Sequence, residues 1–300
     1  MPDSPTTAHL SAQTGLIPAI NAWEIFLYDQ GRSPNTVKAF LSDVRLLVEY
    51  LPPDQTIGTV TTGDLNGFLG WLEKERGVPC SPKTLARRIT ALKSFFRWLN
   101  RGGALLVDPA EKVMQRSVLS PVPEVLTEAE IEAVLLAADR SRRQTRPDAR
   151  PYTLLALLLA TGIKKSECLG IHLNHVDLED SAGPIVFIRY ASPANRYKER
   201  RLTLPEEWVP AYQEYLAQYN PTDRLLPWSP RRLEYLLEDI GKAAGLAKHL
   251  SFDMCRWTCA LQDYLNNVEP DQIRQKLGIS KIQWREVHMK LRQLAAGTKG

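Results

Sequence analysis

No apolar run in this chain approaches the roughly 20 residues that a bilayer-spanning helix requires, and 24% of its residues are charged. Neither a helical membrane protein nor a membrane partner is expected. Residues 1–16, MPDSPTTAHLSAQTGL, have no basic start and no apolar centre, so they do not read as a secretory signal. A disordered tail over 1–15 is the expectation. Cysteine is scarce: Cys80, Cys168, Cys255 and Cys259 are scattered along the chain. That scatter argues for reduced thiols, and hence a cytoplasmic protein, rather than a disulfide framework. Cys255 and Cys259 form an i, i+4 pair with His249 nearby, a spacing that could open a metal site. No second CxxC or HxxxH pair completes it, so buried small side chains are the better reading. No metal or other cofactor is expected. Neither sign of charge dominates: 38 Lys and Arg face 34 Asp and Glu, a net +4 with pI near 8.8. The balance permits nucleic-acid binding without requiring it.

Three hundred residues exceed one typical domain, so two are expected. The first half reads as helices with clear punctuation. Ser33-Pro34 and Ser81-Pro82 each set an N-cap serine before a proline at the first helical position. After the first pair, Val37, Leu41, Val44, Val48 and Leu51 recur at helical spacing. After the second, a helix from Lys83 to about Asn100 gathers Leu85, Ile89, Leu92, Phe96 and Leu99 within an arc of roughly 80°. Lys83, Arg87, Lys93, Arg97 and Arg101 fall on its opposite face, and no acidic residue interrupts the segment. Such a face is either simply solvated or suited to lie along phosphates.

Arg101-Gly102-Gly103 opens a linker that ends near Ser120–Val125, where Pro121 and Pro123 favour an extended strand. Thr127-x-x-Glu130 is a capping box ahead of EIEAVLLAAD. PIVFIRY and ERRLTLP suggest a β-hairpin around ASPANRYK. Helices are expected over Tyr152–Ala160, Pro230–Ala244, Asp253–Asn266, Pro270–Leu277 and Lys281–Leu294. With one small sheet, the fold class is mainly α.

SPNTVKAFLSDVRLLVEYL and SPKTLARRITALKSFFRWL, followed by Thr161-Gly162-Ile163-Lys164-Lys165-Ser166-Glu167 and by Asp253-Met254-Cys255-Arg256, carry a family likeness. The chain resembles the tyrosine recombinases, or phage integrases. The resemblance implies an amino-terminal SAM-like four-helix core-binding domain over 16–102 and a linker over 103–123. It further implies an α-rich catalytic-type domain with a small β-hairpin or sheet over 124–296. The two domains of the family close around duplex DNA.

Strand cleavage in that family attacks a phosphodiester with a tyrosine hydroxyl. Two arginines hold the non-bridging oxygens, because a planar guanidinium matches two oxygens at once. A lysine and histidines handle protons and charge. Here Lys164 stands in the arginine position of Thr-Gly-x-Arg-x-x-Glu, keeping a point charge but losing the fork. The hairpin pattern Gly-Lys-Gly-x-Lys-x-Arg becomes Ala194-Asn195-Arg196-Tyr197-Lys198-Glu199-Arg200, which puts Asn195 at the lysine position; Arg196 or Lys198 could reach in its place. Asp253 replaces the histidine of His-x-x-Arg, and an i, i+3 ion pair with Arg256 is expected. Leu277-Gly278 is followed by Ile279, which cannot donate a hydrogen bond to a phosphate. The nucleophile position holds His288, and no tyrosine occurs after Tyr264. Histidine can attack phosphorus, but with the surrounding groups lost an inert helix residue is the better reading.

Lys164, Arg256 and His288 thus occupy family catalytic positions. Lys83, Arg87, Lys93, Arg97, Arg101, Arg196 and Lys198 are the candidate DNA contacts. The leading expectation is a DNA-binding protein of this family that clamps a duplex without cutting it, with duplex DNA and active recombinase subunits as partners. The alternatives are an active divergent recombinase with a non-standard nucleophile, and a helical protein-interaction module without DNA binding.

Overall fold

The computed structural model describes residues 9–78, 80–114, 121–181 and 183–298. Internal contacts divide the chain into two units, 1–120 and 121–300. The first unit is built from α1 (Leu16–Asp29), α2 (Pro34–Tyr50), α3 (Thr62–Lys74) and α4 (Pro82–Arg101). Their starts follow local rules. Ser33 Oγ accepts from Thr36 N and Ser81 Oγ from Thr84 N, both at 3.2 Å. Each satisfies one of the amides a helix start leaves open. The apolar stripe of α4 is buried as expected, and Trp23 of α1 meets Phe95 edge-on at 5.2 Å.

Two expectations at the edges of this unit are corrected. Residues 1–8 of the expected tail lie outside the described residues, but 11–15 are held. Ile57 N donates to Thr14 O and Gly58 N to Ala12 O, each at 2.9 Å. Gly58 lets the two strands approach, since a Cβ there would stand 2.6 Å from Ala12 O. The start of the expected linker also packs. Ala104, Leu105, Ala110 and Val113 are buried in the first unit's core, and Thr62 Oγ1 donates to Pro109 O at 2.8 Å. Apolar residues between the glycines and prolines fill the open end of the bundle.

The second unit contains α5 (Glu128–Arg142), α6 (Arg150–Thr161), α7 (Lys165–Cys168), β1 (Val176–Asp177), β2 (Ile185–Ile188) and β3 (Arg200–Thr203). Then follow α8 (Trp208–Tyr219), α9 (Pro230–Ala243), α10 (Phe252–Leu265), α11 (Pro270–Lys276) and α12 (Lys281–Thr298). The fold is mainly α with one three-stranded antiparallel sheet in the order β1-β2-β3. Register is set by Val186 opposite Leu202, both buried. The expected capping box forms: Glu130 Oε2 accepts from Thr127 N at 2.8 Å, and Thr127 Oγ1 accepts from Glu130 N at 3.3 Å. Helix α6 is apolar on every side, with Leu154, Leu155, Leu157 and Leu158 fully buried, and it is the central helix of this unit. Helix α8 lies outside the helices expected above; Trp208, Ala211, Tyr212 and Tyr215 form its buried face. A smaller core joins α10, α11 and α12 through Leu261, Ile273, Leu277, Ile279 and Leu291. Among the described residues, no helix is long and apolar enough to cross a membrane.

Candidate functional site

Two glycine turns frame the site. Gly162 ends α6 with φ +59°, where a side chain would be strained and a Cβ would sit 3.2 Å from Cys259 Sγ. Gly278 follows α11, also at φ +59°, and a Cβ there would stand 2.6 Å from the Arg200 guanidinium. Arg256, reaching in from α10, fastens both turns. Its Nη1 donates to Gly162 O at 2.5 Å and its Nη2 to Leu277 O at 2.6 Å. Arg200 from β3 adds a third tie, Nε to Lys276 O at 2.6 Å.

Glu167 sits at the centre with its side chain 1% exposed. It takes both Nη groups of Arg200, at 3.1 and 2.9 Å, the Tyr190 hydroxyl, and the Lys164 amide at 2.8 Å. Burial pushes its pKa up, but Arg200 and these hydrogen bonds more than reverse that, holding the carboxyl below its usual range. Burial and then Glu167 push the Tyr190 hydroxyl up to about 12.

Lys164 is half-buried, and its ammonium has no hydrogen-bond or ion-pair partner among the described residues. Burial, and then the charge of Arg256, lower its pKa; Glu167 opposes them, and Lys198 and Arg200 add to the lowering. Because Glu167 is already committed to Arg200, a further anion beside Lys164 would be favourable. Lys164 and Arg256 line a cleft of about 730 Å³ with Asp253, Tyr235, Glu238 and His249 on its other walls. The expected ion pair between Asp253 and Arg256 is not made within 4 Å among the described residues. The Arg256 guanidinium turns inward to the two carbonyls instead, and Asp253 acts on it only as a nearby charge. Burial depresses the Arg256 pKa.

The connection between β2 and β3 is tightened by a 3-10 turn over Pro193–Lys198. Lys198 Nζ donates to Asn195 Oδ1 at 2.8 Å, whereas Arg196 is exposed. Ile279 is 8% exposed within the small core, and its carbonyl accepts from Arg274 Nη1 at 3.1 Å. His288 stacks on Trp284 at 5.4 Å and 11°, and meets Tyr264 edge-on at 5.9 Å. Tyr264 lies two turns beyond Arg256 on α10, roughly 12 Å along the axis. No hydrogen bond joins His288 to Lys164, Arg256 or Lys198 among the described residues. The structure therefore gathers Lys164, Arg256, Lys198 and Arg200 around Glu167, and places His288 in an aromatic cluster. Tyr190 was not legible as part of this group, because nothing local marks its hydroxyl as a partner for Glu167.

On α4 in the first unit, Lys83, Arg97 and Arg101 are exposed. Arg87 is not a free cation. Its Nη1 lies 2.5 Å from Asp43 Oδ2 of α2, a carboxylate only 2% exposed, and Arg88 approaches the same group at 3.6 Å. Burial outweighs both arginines and raises the Asp43 pKa. Lys93 Nζ donates to Glu111 O at 3.3 Å, which leaves its charge uncancelled. In the second unit, Cys255 and Cys259 are buried free thiols, pushed up by burial to about 12 and about 11. No group of three or more His, Cys, Asp or Glu able to hold a metal occurs among the described residues.

The described geometry has known counterparts. Residues 20–103 match the phage integrase N-terminal SAM-like domain, and residues 124–288 match the phage integrase family. The chain belongs to the phage integrase family, the tyrosine recombinases. It is 23% identical over 282 residues to tyrosine recombinase XerD of Listeria innocua serovar 6a, covering 89% of this chain and 92% of that protein. It is 31% identical over 163 residues to tyrosine recombinase XerC of Mycobacterium sp. (strain JLS), covering 53% of each. In fold it is similar to XerH site-specific recombinase bound to palindromic difH substrate in a post-cleavage complex. The TM-score is 0.71 at 16% identity, over 94% of this chain and 83% of that one. A lambda integrase dimer bound to a COC′ core site gives a TM-score of 0.70 at 14% identity, over 95% and 81%.

Proposed function

We propose that this chain binds duplex DNA in the manner of its family, in the cytoplasm, and does not cut it. The observation that carries the second half is His288: it holds the family's nucleophile position and packs between Trp284 and Tyr264. The first half is supported by uncancelled positive charge. The Lys164 ammonium lacks a partner among the described residues, and Lys198 is held by a neutral amide. Lys83, Arg97 and Arg101 add exposed charge in the other unit. Neighbouring folds include a recombinase and an integrase described as bound to DNA.

The surviving motif residues support the same division. Gly162, Glu167, Arg256 and Gly278 each have a folding task visible in their contacts. The departures, Lys164, Asn195, Asp253, Ile279 and His288, fall on positions whose family task is proton handling, charge stabilisation or attack, and of these Lys164 alone keeps a positive charge. A binder of this kind would occupy recombination sites or assist active recombinase subunits. The test is a gel-shift titration on duplex DNA across a salt series. Affinity is expected to fall linearly in log–log form, with a slope of about −0.9 per phosphate contact. Binding that is absent, or unchanged between about 50 and 200 mM salt, where such contacts weaken, removes the proposal.

A further inference from the structure

Around the β2–β3 connection the basic residues divide sharply by partner. Arg200 is paired with Glu167 and Arg201 with Asp180, while Arg189 lies over the Phe187 ring at 5.6 Å. Arg196 is exposed at the tip. Lys198 is different: it is half-buried, oriented and not neutralised. Its ammonium donates to the Asn195 amide oxygen at 2.8 Å and lies 5.1 Å from the Tyr197 ring centre. An amide acceptor fixes direction without cancelling charge, as a carboxylate would. Its backbone is fixed too. Lys198 O accepts from Arg200 Nη1 at 3.1 Å, and that guanidinium is locked by Glu167 and Lys276 O. The nearby Glu199 carboxylate is engaged by the Tyr190 amide at 2.9 Å.

Lys198 lines a groove of about 490 Å³ whose opposite wall is Arg274, Ser280 and Lys281. Arg274 is taken by Asp271 and Ile279 O, so the uncancelled charges in this groove are the cations Lys198 and Lys281 and the Glu199 carboxylate, a net positive balance. The groove is separate from the cleft that Lys164 and Arg256 line, yet the Lys198 charge is felt at Lys164.

We propose that Asn195 and Lys198 act as one unit, a pre-oriented cation that takes a backbone phosphate of the bound duplex in this groove, with Asn195 as its positioning residue. The proposal rests on the DNA-binding reading above. A free lysine loses most of its rotamer freedom when it meets a phosphate. Here much of that ordering is complete before DNA arrives.

The test is the salt dependence of duplex binding by the full chain and by K198A, K198R, N195A, N195D and R196A. Removing one phosphate contact lowers the log–log salt slope by about 0.9. K198A is expected to show that drop, with affinity near physiological salt falling on the order of tenfold; K198R keeps the wild-type slope. N195D, whose carboxylate pairs with Lys198 and cancels it, is expected to behave like K198A while melting like the wild type. N195A keeps the slope but binds several-fold more weakly. Wild-type slope and affinity in K198A, or a slope loss in R196A alone, overturns the proposal and leaves the DNA-binding reading standing. Failure of the wild type to bind salt-sensitively overturns both.

Discussion

Glu167→Ala is expected to destabilise the second unit by about 3–5 kcal/mol, the usual cost of removing one partner from a buried ion pair. The Arg200 side chain is 9% exposed, so its charge would remain in the interior with no carboxylate to meet it. The Tyr190 hydroxyl and the Lys164 amide lose an acceptor in the same step. Glu167→Gln keeps the shape and is expected to lose most of the same stability, because the missing charge is what matters. Replacing Glu167 and Arg200 together by Leu and Met is expected to cost far less than Glu167→Ala, since no unpaired charge is left. Urea titrations of the three variants check this, and a double variant as destabilised as Glu167→Ala would contradict it. The pH dependence follows in sign. The folded Glu167 pKa lies below its unfolded value, so its contribution is present above the unfolded pKa of about 4.3. It is lost as pH falls through the lower, folded value. Glu167→Gln should flatten that part of the acid limb.

Arg256→Ala carries the second large effect. Two charge-assisted hydrogen bonds to Gly162 O and Leu277 O disappear, each contributing about 1.5–3 kcal/mol. A loss of about 3 kcal/mol or more is expected, which for a unit of this size lowers Tm by roughly 6–12 °C. Arg256→Lys reaches one carbonyl at most and should recover less than half. Lys164→Ala is the informative contrast. Its ammonium has no hydrogen-bond or ion-pair partner among the described residues, so DNA affinity should fall while Tm stays within about 2 °C, because no native polar contact is lost. Differential scanning calorimetry together with a binding titration separates the two cases. Equal melting of Arg256→Ala and wild type would show that Arg256 is not a fastener.

What the sequence makes legible here is what short-range rules control. The serine and threonine caps, the apolar stripe of α4 and the Thr-Gly-x-x-x-x-Glu frame each depend on residues within one or two turns of each other. The basic face of α4 shows where such rules stop. A helical wheel contains only its own helix, and Asp43, which takes Arg87, lies 44 residues earlier on α2. Arg256 is similar: its two acceptors are 94 and 21 residues away, so its inward turn and its lack of an ion pair with Asp253 are tertiary facts. Helix α8 was hidden for a different reason. Pro210 and a run of aromatic residues, Trp208, Tyr212, Tyr215 and Tyr219, have weak intrinsic helix propensity, and burial overrides it. The Asn195–Lys198 contact is local, yet it depends on a 3-10 turn that the residue types do not announce.

The central claim is that this member of the phage integrase family holds DNA without forming a covalent bond to it. The most direct measurement is covalent trapping on a nicked duplex at protein concentrations where a gel shift shows saturation. The expected result is complete binding with no protein–DNA adduct after denaturation. An adduct that survives denaturation, and is lost in His288→Ala or Tyr264→Phe, would contradict the account.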